Sequence, residues 1–232
     1  GQSGKSAQMI ADTPRFYPIT PNIRQVDAFN AYTAGCGHAF ATSAGFPKAW
    51  RDRRAFICGP TGNLLGMYDI RPKDSGYEAI NAFSFMASAD EWFSPVVAEV
   101  GPDGNLWVAD WYNFIIQHNP TPNKGRAGYD AKNGQGNAHI NPNRDRQHGR
   151  IYRVVHRGHA PKQPTLKATT DLISALGHDN LFWRLTAQRL LVEQQRTDAV
   201  PALQAKLKTG GHAALHSLWA LEVLGKLDRE TH

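Results

Sequence analysis

Cysteine is scarce: the 232 residues contain only Cys36 and Cys58. They form no CxxC pair, and no CxxCH haem-attachment motif occurs, so these residues tether no c-type haem. Long hydrophobic runs are absent too. No stretch approaches about eighteen consecutive apolar residues, so no membrane-spanning helix is expected. No basic-then-apolar leader opens the chain, and the expectation is a chain without a signal peptide. None of the ten histidines falls in an HExxH pattern, and no Ser-His-Asp spacing stands out. That argues against a sequence-local zinc protease site. Acidic residues are a mild minority, with a net charge of +6. The positive excess is spread along the chain, which reads as a basic soluble protein with no nucleic-acid partner.

What is present falls into two grammars. Residues 1 to about 160 are rich in Gly, Pro and Asn, with short apolar runs between turns. Ala55–Cys58 precedes the turn GPTGN and Leu64–Ile70 follows it. Tyr77–Phe85 comes after KDSG, Val96–Val100 precedes GPDGN, Leu106–Trp111 follows, and Ile151–Val155 closes the half. Short strands between Gly-bearing turns predict an all-β region. In GPDGN, Pro102 pre-sets φ, Asp103 favours a turn and Gly104 accepts positive φ.

From about 165 the period becomes helical. Trp183, Ala187, Leu190 and Leu191 share one helix face. Val200, Leu203 and Leu207 share another, with Pro201 near the start where proline is tolerated. His212–Leu224 reads as a further helix containing Leu215, Leu218 and Trp219. Thr169 or Thr170 is expected to cap the first helix of the region, and Asp179 or Asn180 the second. Leu172, Leu176 and Leu190 recur 31 residues later as Leu203, Leu207 and Leu221, and Ala187 and Leu191 recur 33 later as Ala220 and Leu224. Such a repeat predicts an α-solenoid of HEAT type, with a plain helical bundle as the alternative. The expected division is therefore a β domain over 1–160 and helical repeats over 161–232. Asn119–Gly149, nearly devoid of apolar residues, reads as a long loop.

The opening GQSGKS imitates a phosphate-binding loop but lacks the preceding strand and full spacing that a P-loop needs. More chemistry gathers at the end of LWVADWYN. A strand leaving a GPDGN turn in this way is the inner-strand pattern of a β-propeller, whose end loops build sites. Asp110 and Asn113 offer oxygens and His118 a nitrogen, with Trp111 and Tyr112 beside them. Arg144, Asp145, His148 and Arg150 crowd into NRDRQHGR. A carboxylate with imidazoles can hold a metal or move protons, so Asp110, His118 and His148 are the candidate catalytic residues. Trp111, Tyr112, Asn113, Arg144, Asp145 and Arg150 are the candidate ligand-binding residues. The alternative is structural: Asp110 with Arg144 or Arg150 ties loops down, and His118 packs under Trp111. Cys36 and Cys58 each adjoin a strand-like run, YTAGC and RRAFIC. They are either two buried thiols or a bridge closing a loop of about 22 residues, worth roughly 3 kcal/mol.

Several long runs carry a resemblance: Arg15–Phe29, Tyr32–Phe40, Phe46–Gly66, Asp90–Pro122 and Arg144–Val154, with Gly177–Glu193 and Asp198–Leu203 in the helical part. They resemble the large secreted proteins of planctomycetes and verrucomicrobia described as membrane-bound dehydrogenase domain, or PVC-type haem-binding, proteins. The resemblance implies a propeller like that of glucose/sorbosone dehydrogenases, followed by HEAT-like helices and often a cytochrome c module. The β half then corresponds to the last blades of a propeller, because roughly 160 residues cannot close six blades of about 40–45 residues each. The chain reads as a fragment, expected to be inactive alone.

The resemblance further implies a periplasmic or extracellular place in the bacterial cell envelope, which favours a Cys36–Cys58 bridge. It implies a dehydrogenase acting on a sugar or alcohol and passing electrons to a cytochrome module, with PQQ and Ca²⁺ in the parent protein and haem c only in a domain outside these residues. Fold analogy does not fix chemistry. The competing expectation is a non-catalytic propeller and HEAT module that binds carbohydrate or protein partners.

Overall fold

The computed structural model describes residues 35–114, 145–159 and 162–227, with Ile19 alone before them. Those residues hold seven strands and four α-helices. They divide into two units. The first runs over Gly1–Ala41, Ala49–Glu99 and Leu106–Val154, and the second over Thr42–Lys48, Val100–Asn105 and Val155–His232.

In the first unit, β1 (Cys36–Phe40), β2 (Arg54–Gly59), β3 (Leu64–Lys73) and β4 (Gly76–Ala87) form an antiparallel sheet in sequence order. A second sheet has the order β5 (Pro95–Val100), β6 (Leu106–Asp110), β7 (Arg150–Val154). Among the described residues these sheets close into no barrel or propeller. The six apolar runs between Gly-bearing turns all become strands, with ends shifted by at most three residues. Of the YTAGC run only Gly35 and Cys36 are among the described residues, and β1 starts at Cys36. Gly37 takes φ +55, and the β1–β2 register slips between Cys36 and Ala39. A Cβ on Gly37 would lie 2.4 Å from the Val96 carbonyl oxygen, so only glycine fits.

Burial explains the strand chemistry. Leu64, Leu65, Met67 and Tyr68 of β3 are buried in an unbroken apolar run, as expected of a strand covered on both faces. Phe56 of β2 is fully buried and packs on Phe85 of β4 with ring centres 5.0 Å apart. Between β2 and β3, Asn63 takes the left-handed conformation that its short polar side chain tolerates. Its amide donates to the carbonyls of Glu91 and Phe93, at 3.2 and 2.5 Å, and so fixes the chain leading into β5.

The second unit contains α1 (Thr169–Ala175), α2 (Leu181–Glu193), α3 (Val200–Leu207) and α4 (Gly211–Val223). Its core is Leu172, Ala175, Leu176, Ala187, Leu191, Ala199, Leu203, Ala220 and Leu221, with Leu190, Leu207 and Leu224 partly buried against it. The positions that recur in the sequence are thus core positions. Pro201 sits in the first turn of α3, where its missing N–H costs no bond. Asn180 caps α2 by accepting from the Phe182 N–H at 3.0 Å. The expected cap of α1 by Thr169 or Thr170 is corrected: the N-cap is Ala168. Asp171, in the first turn, accepts from the Lys167 and Ala168 N–H groups instead. A carboxylate at that place also suits the positive end of the helix dipole.

The GPDGN turn belongs to this second unit. Gly104 takes φ +74 and donates to the Gly101 carbonyl at 2.9 Å. The Asn180 amide donates to Gly101 O, and Trp183 Nε1 donates to Pro102 O at 2.8 Å. No helix among the described residues is long and apolar enough to cross a membrane.

Candidate functional site

β6 ends at Asp110, directly opposite Arg150 at the start of β7. The Asp110 side chain is fully buried. Its Oδ1 accepts the Ser94 N–H at 2.7 Å and the Tyr112 N–H at 2.8 Å. Its Oδ2 accepts Arg150 Nε at 2.6 Å. A second carboxylate, Asp90, accepts Arg150 Nη1 at 2.7 Å. Burial works against the Arg150 charge, but the hydrogen bonds it donates to Asp90 and Asp110 outweigh it and leave its pKa raised. Its guanidinium also lies 4.3 Å from the centre of the Tyr112 ring, a cation–π contact.

Tyr112 reaches that ring position with φ +54, an uncommon conformation for an aromatic residue. The Asp110 hydrogen bond to its N–H holds the turn. Trp92 packs on Tyr112 at 5.5 Å and on Phe114 at 5.6 Å. Asn113 is fully buried and its amide donates to the carbonyls of Trp111 and Asp145, both at 3.2 Å. Its own carbonyl accepts the Ser94 hydroxyl at 2.6 Å. The Asn113 Oδ1 is buried with no hydrogen-bond partner among the described residues.

Asp145 organises the other side. Its Oδ1 accepts the N–H groups of Gln147 and His148, and its Oδ2 lies 2.6 Å from His148 Nδ1. The Gln147 N–H does most to hold the Asp145 carboxyl below its ordinary range; burial opposes this, and the His148 ring and N–H add to it. The His148 side chain is 70% exposed and its ring edge meets Tyr112 at 6.3 Å. A carboxylate on one ring nitrogen fixes the tautomer and leaves Nε2 free to take a proton.

The chain thus brings together Asp110, Tyr112, Asn113, Asp145, His148 and Arg150. Trp111 adjoins them, half-exposed, its N–H donating to Ser94 O at 2.9 Å. His118 and Arg144 lie outside the described residues. Asp110 matches the tying role weighed for it: a buried carboxylate with three donors offers no oxygen to a substrate. Asp90, Trp92, Ser94 and Phe114 are members that the sequence reading did not single out. Asp90, Trp92 and Ser94 all fall in the polar and aromatic run DEWFS just before β5, which was the available signal.

Ca²⁺ takes roughly six to eight oxygen ligands. Among the described residues no three of His, Cys, Asp or Glu stand together to hold a metal ion, and the Asp110 oxygens are committed. Arg150, whose guanidinium faces the Tyr112 ring, has its charge balanced by two carboxylates, although its Nη2 has no partner among the described residues, so the described residues do not fit Ca²⁺ or an anionic quinone. Cys36 and Cys58 are register partners across β1 and β2, and both thiols are free. Burial, then the neighbouring Cys36, push the Cys58 thiol up to about 12. The Cys58 thiol faces the Gly37 carbonyl at 3.6 Å.

A family model described as a domain of unknown function, DUF7133, matches residues 2–158. The chain belongs to the DUF7133 family. The DUF7133 span takes in all seven described strands, both cysteines and the whole Asp90–Arg150 corner, while the four helices lie beyond it. No curated protein and no solved structure matches this DUF7133 chain.

Proposed function

We propose that this DUF7133 chain is part of a propeller-type oxidoreductase of the bacterial cell envelope that acts on a hydroxyl of a sugar-like substrate. The observation that carries this reading is the Asp145–His148 pair: Nδ1 is held at 2.6 Å and Nε2 has no partner among the described residues. An imidazole so oriented takes the hydroxyl proton as the carbon-bound hydrogen leaves with its electron pair to an oxidised acceptor. The two-electron acceptor would be a quinone held outside the described residues, which would pass its electrons one at a time to a haem module, in keeping with the resemblance to PVC-type dehydrogenase proteins. Trp92, Tyr112 and Phe114 offer aromatic surface of the kind that packs against sugar rings. In this reading the four-stranded sheet is one blade, the three-stranded sheet part of the next, and the paired helices the first HEAT-like repeats.

A second reading has its own observation. Asp110, Arg150 and Asp90 tie the corner so fully that it serves equally as a rigid carbohydrate-binding face without turnover. Dye-linked oxidation by the full-length parent protein, run over a panel of sugars and alcohols, separates the two. Turnover of any member, lost in His148→Gln, supports the oxidoreductase. Sugar binding with no turnover across the panel supports the binding module.

A further inference from the structure

The second unit holds a cleft of about 280 Å³, lined by Ser43, Ala44, His159, Lys162, His178, Asp179 and Asn180. All seven residues belong to that unit. Its wall is built by side chains bonded to backbone groups. His178 Nδ1 accepts the Asn180 N–H at 3.0 Å, and its Nε2 donates to Lys162 O at 3.1 Å, which fixes the orientation of the ring. The Asn180 side chain is spent on Phe182 N–H and Gly101 O. The Ser43 oxygen accepts the Gly45 N–H at 2.9 Å, leaving its proton to donate.

Against this fixed wall, three groups have no partner among the described residues: the Lys162 ammonium, the Asp179 carboxylate and His159 Nε2. The last is buried and unsatisfied, which costs free energy unless a ligand or water pairs it. Lys162 and Asp179, both exposed, line one cleft with opposite charges, yet form no ion pair with each other. A purely anionic ligand would meet Asp179, and a purely cationic one would meet Lys162. Size narrows the choice further. At about 280 Å³ the cleft sits at the small end of the roughly 300–1,000 Å³ usual for small-molecule sites.

We propose that this cleft binds a small zwitterion of the α-amino acid class, its carboxylate on Lys162 and the Ser43 hydroxyl, and its ammonium on Asp179. The site is independent of the Asp145–His148 corner and of the oxidoreductase reading.

Isothermal titration of the full chain with glycine, L-serine and L-lysine tests it, with sodium acetate and methylammonium chloride as half-ligands. At least one amino acid is expected to bind ten times more tightly than either half-ligand. Lys162→Ala and Asp179→Asn should each weaken that binding at least tenfold, and neither side chain carries a bond that holds the fold. Ala44→Trp, which fills the cleft with both charges intact, should abolish it. Absence of binding by all three amino acids, a half-ligand as tight as the amino acid, or unchanged affinity in either charge variant would overturn the proposal.

Discussion

Arg150 Nε lies 2.6 Å from the buried Asp110 Oδ2, across the last register pair of β6 and β7. That one pair fastens the end of the second sheet to the turn that carries Tyr112 and Asn113. The same carboxylate anchors Ser94, at the head of β5. Removing it strands three donors at once. Asp110→Ala should therefore cost about 3 kcal/mol, within the range for breaking a largely buried ion pair. The midpoint of urea unfolding, followed by tryptophan fluorescence, checks this. A loss below about 1 kcal/mol would show that the corner does not depend on Asp110.

The two cysteines face each other in register with both thiols free. A Cys58 thiol pushed up to about 12 stays protonated and slow to react at neutral pH. Bridging is therefore expected on prolonged exposure to a disulfide oxidant such as oxidised glutathione, with loss of two hydrogens in the intact mass. The bridge should raise stability by roughly 3 kcal/mol, and Cys58→Ser should remove the difference between oxidised and reduced samples. Persistence of two free thiols after oxidant treatment at pH 9 would contradict this.

In the helical unit, His216 is buried, with Nδ1 on Gln188 Oε1 at 2.7 Å and its ring edge-on to Trp219. Burial first, then the charges of Arg184 and His212, lower its pKa from 6.5 to about 4. A lowered histidine pKa means that the unfolded chain binds the proton more readily than the folded one. Stability of the helices should therefore be full above pH 6.5, fall as the pH drops towards 4, and level off below. Thermal melts at 222 nm across that range, compared with His216→Gln, measure it. A melting temperature that falls equally in the variant would assign the acid sensitivity elsewhere.

Local patterns were legible in the sequence because their causes are local. Gly104 and Pro102 declare their turn, and the recurring leucines and alanines from Leu172 to Leu224 mark the helical core. The register shift between Cys36 and Ala39 was not legible, because Gly37 packs against the distant Val96 carbonyl. Asp171 displaced the expected threonine cap because a side chain reaching back competes with one at the cap itself. The site was half legible. Asp110 and Arg150 were visible as candidates, but Asp90 joins Arg150 from 60 residues away, which no window of neighbouring residues reveals.

In the proposed reaction His148, oriented by Asp145, takes a substrate proton. The most direct measurement is the steady-state kinetics of full-length parent protein carrying His148→Gln or Asp145→Asn, on the best substrate of the sugar panel. His148→Gln should lower kcat by about 100-fold or more with KM nearly unchanged, and Asp145→Asn should give a smaller loss in the same direction. Unchanged kcat in both variants would contradict it and leave the corner as a binding face.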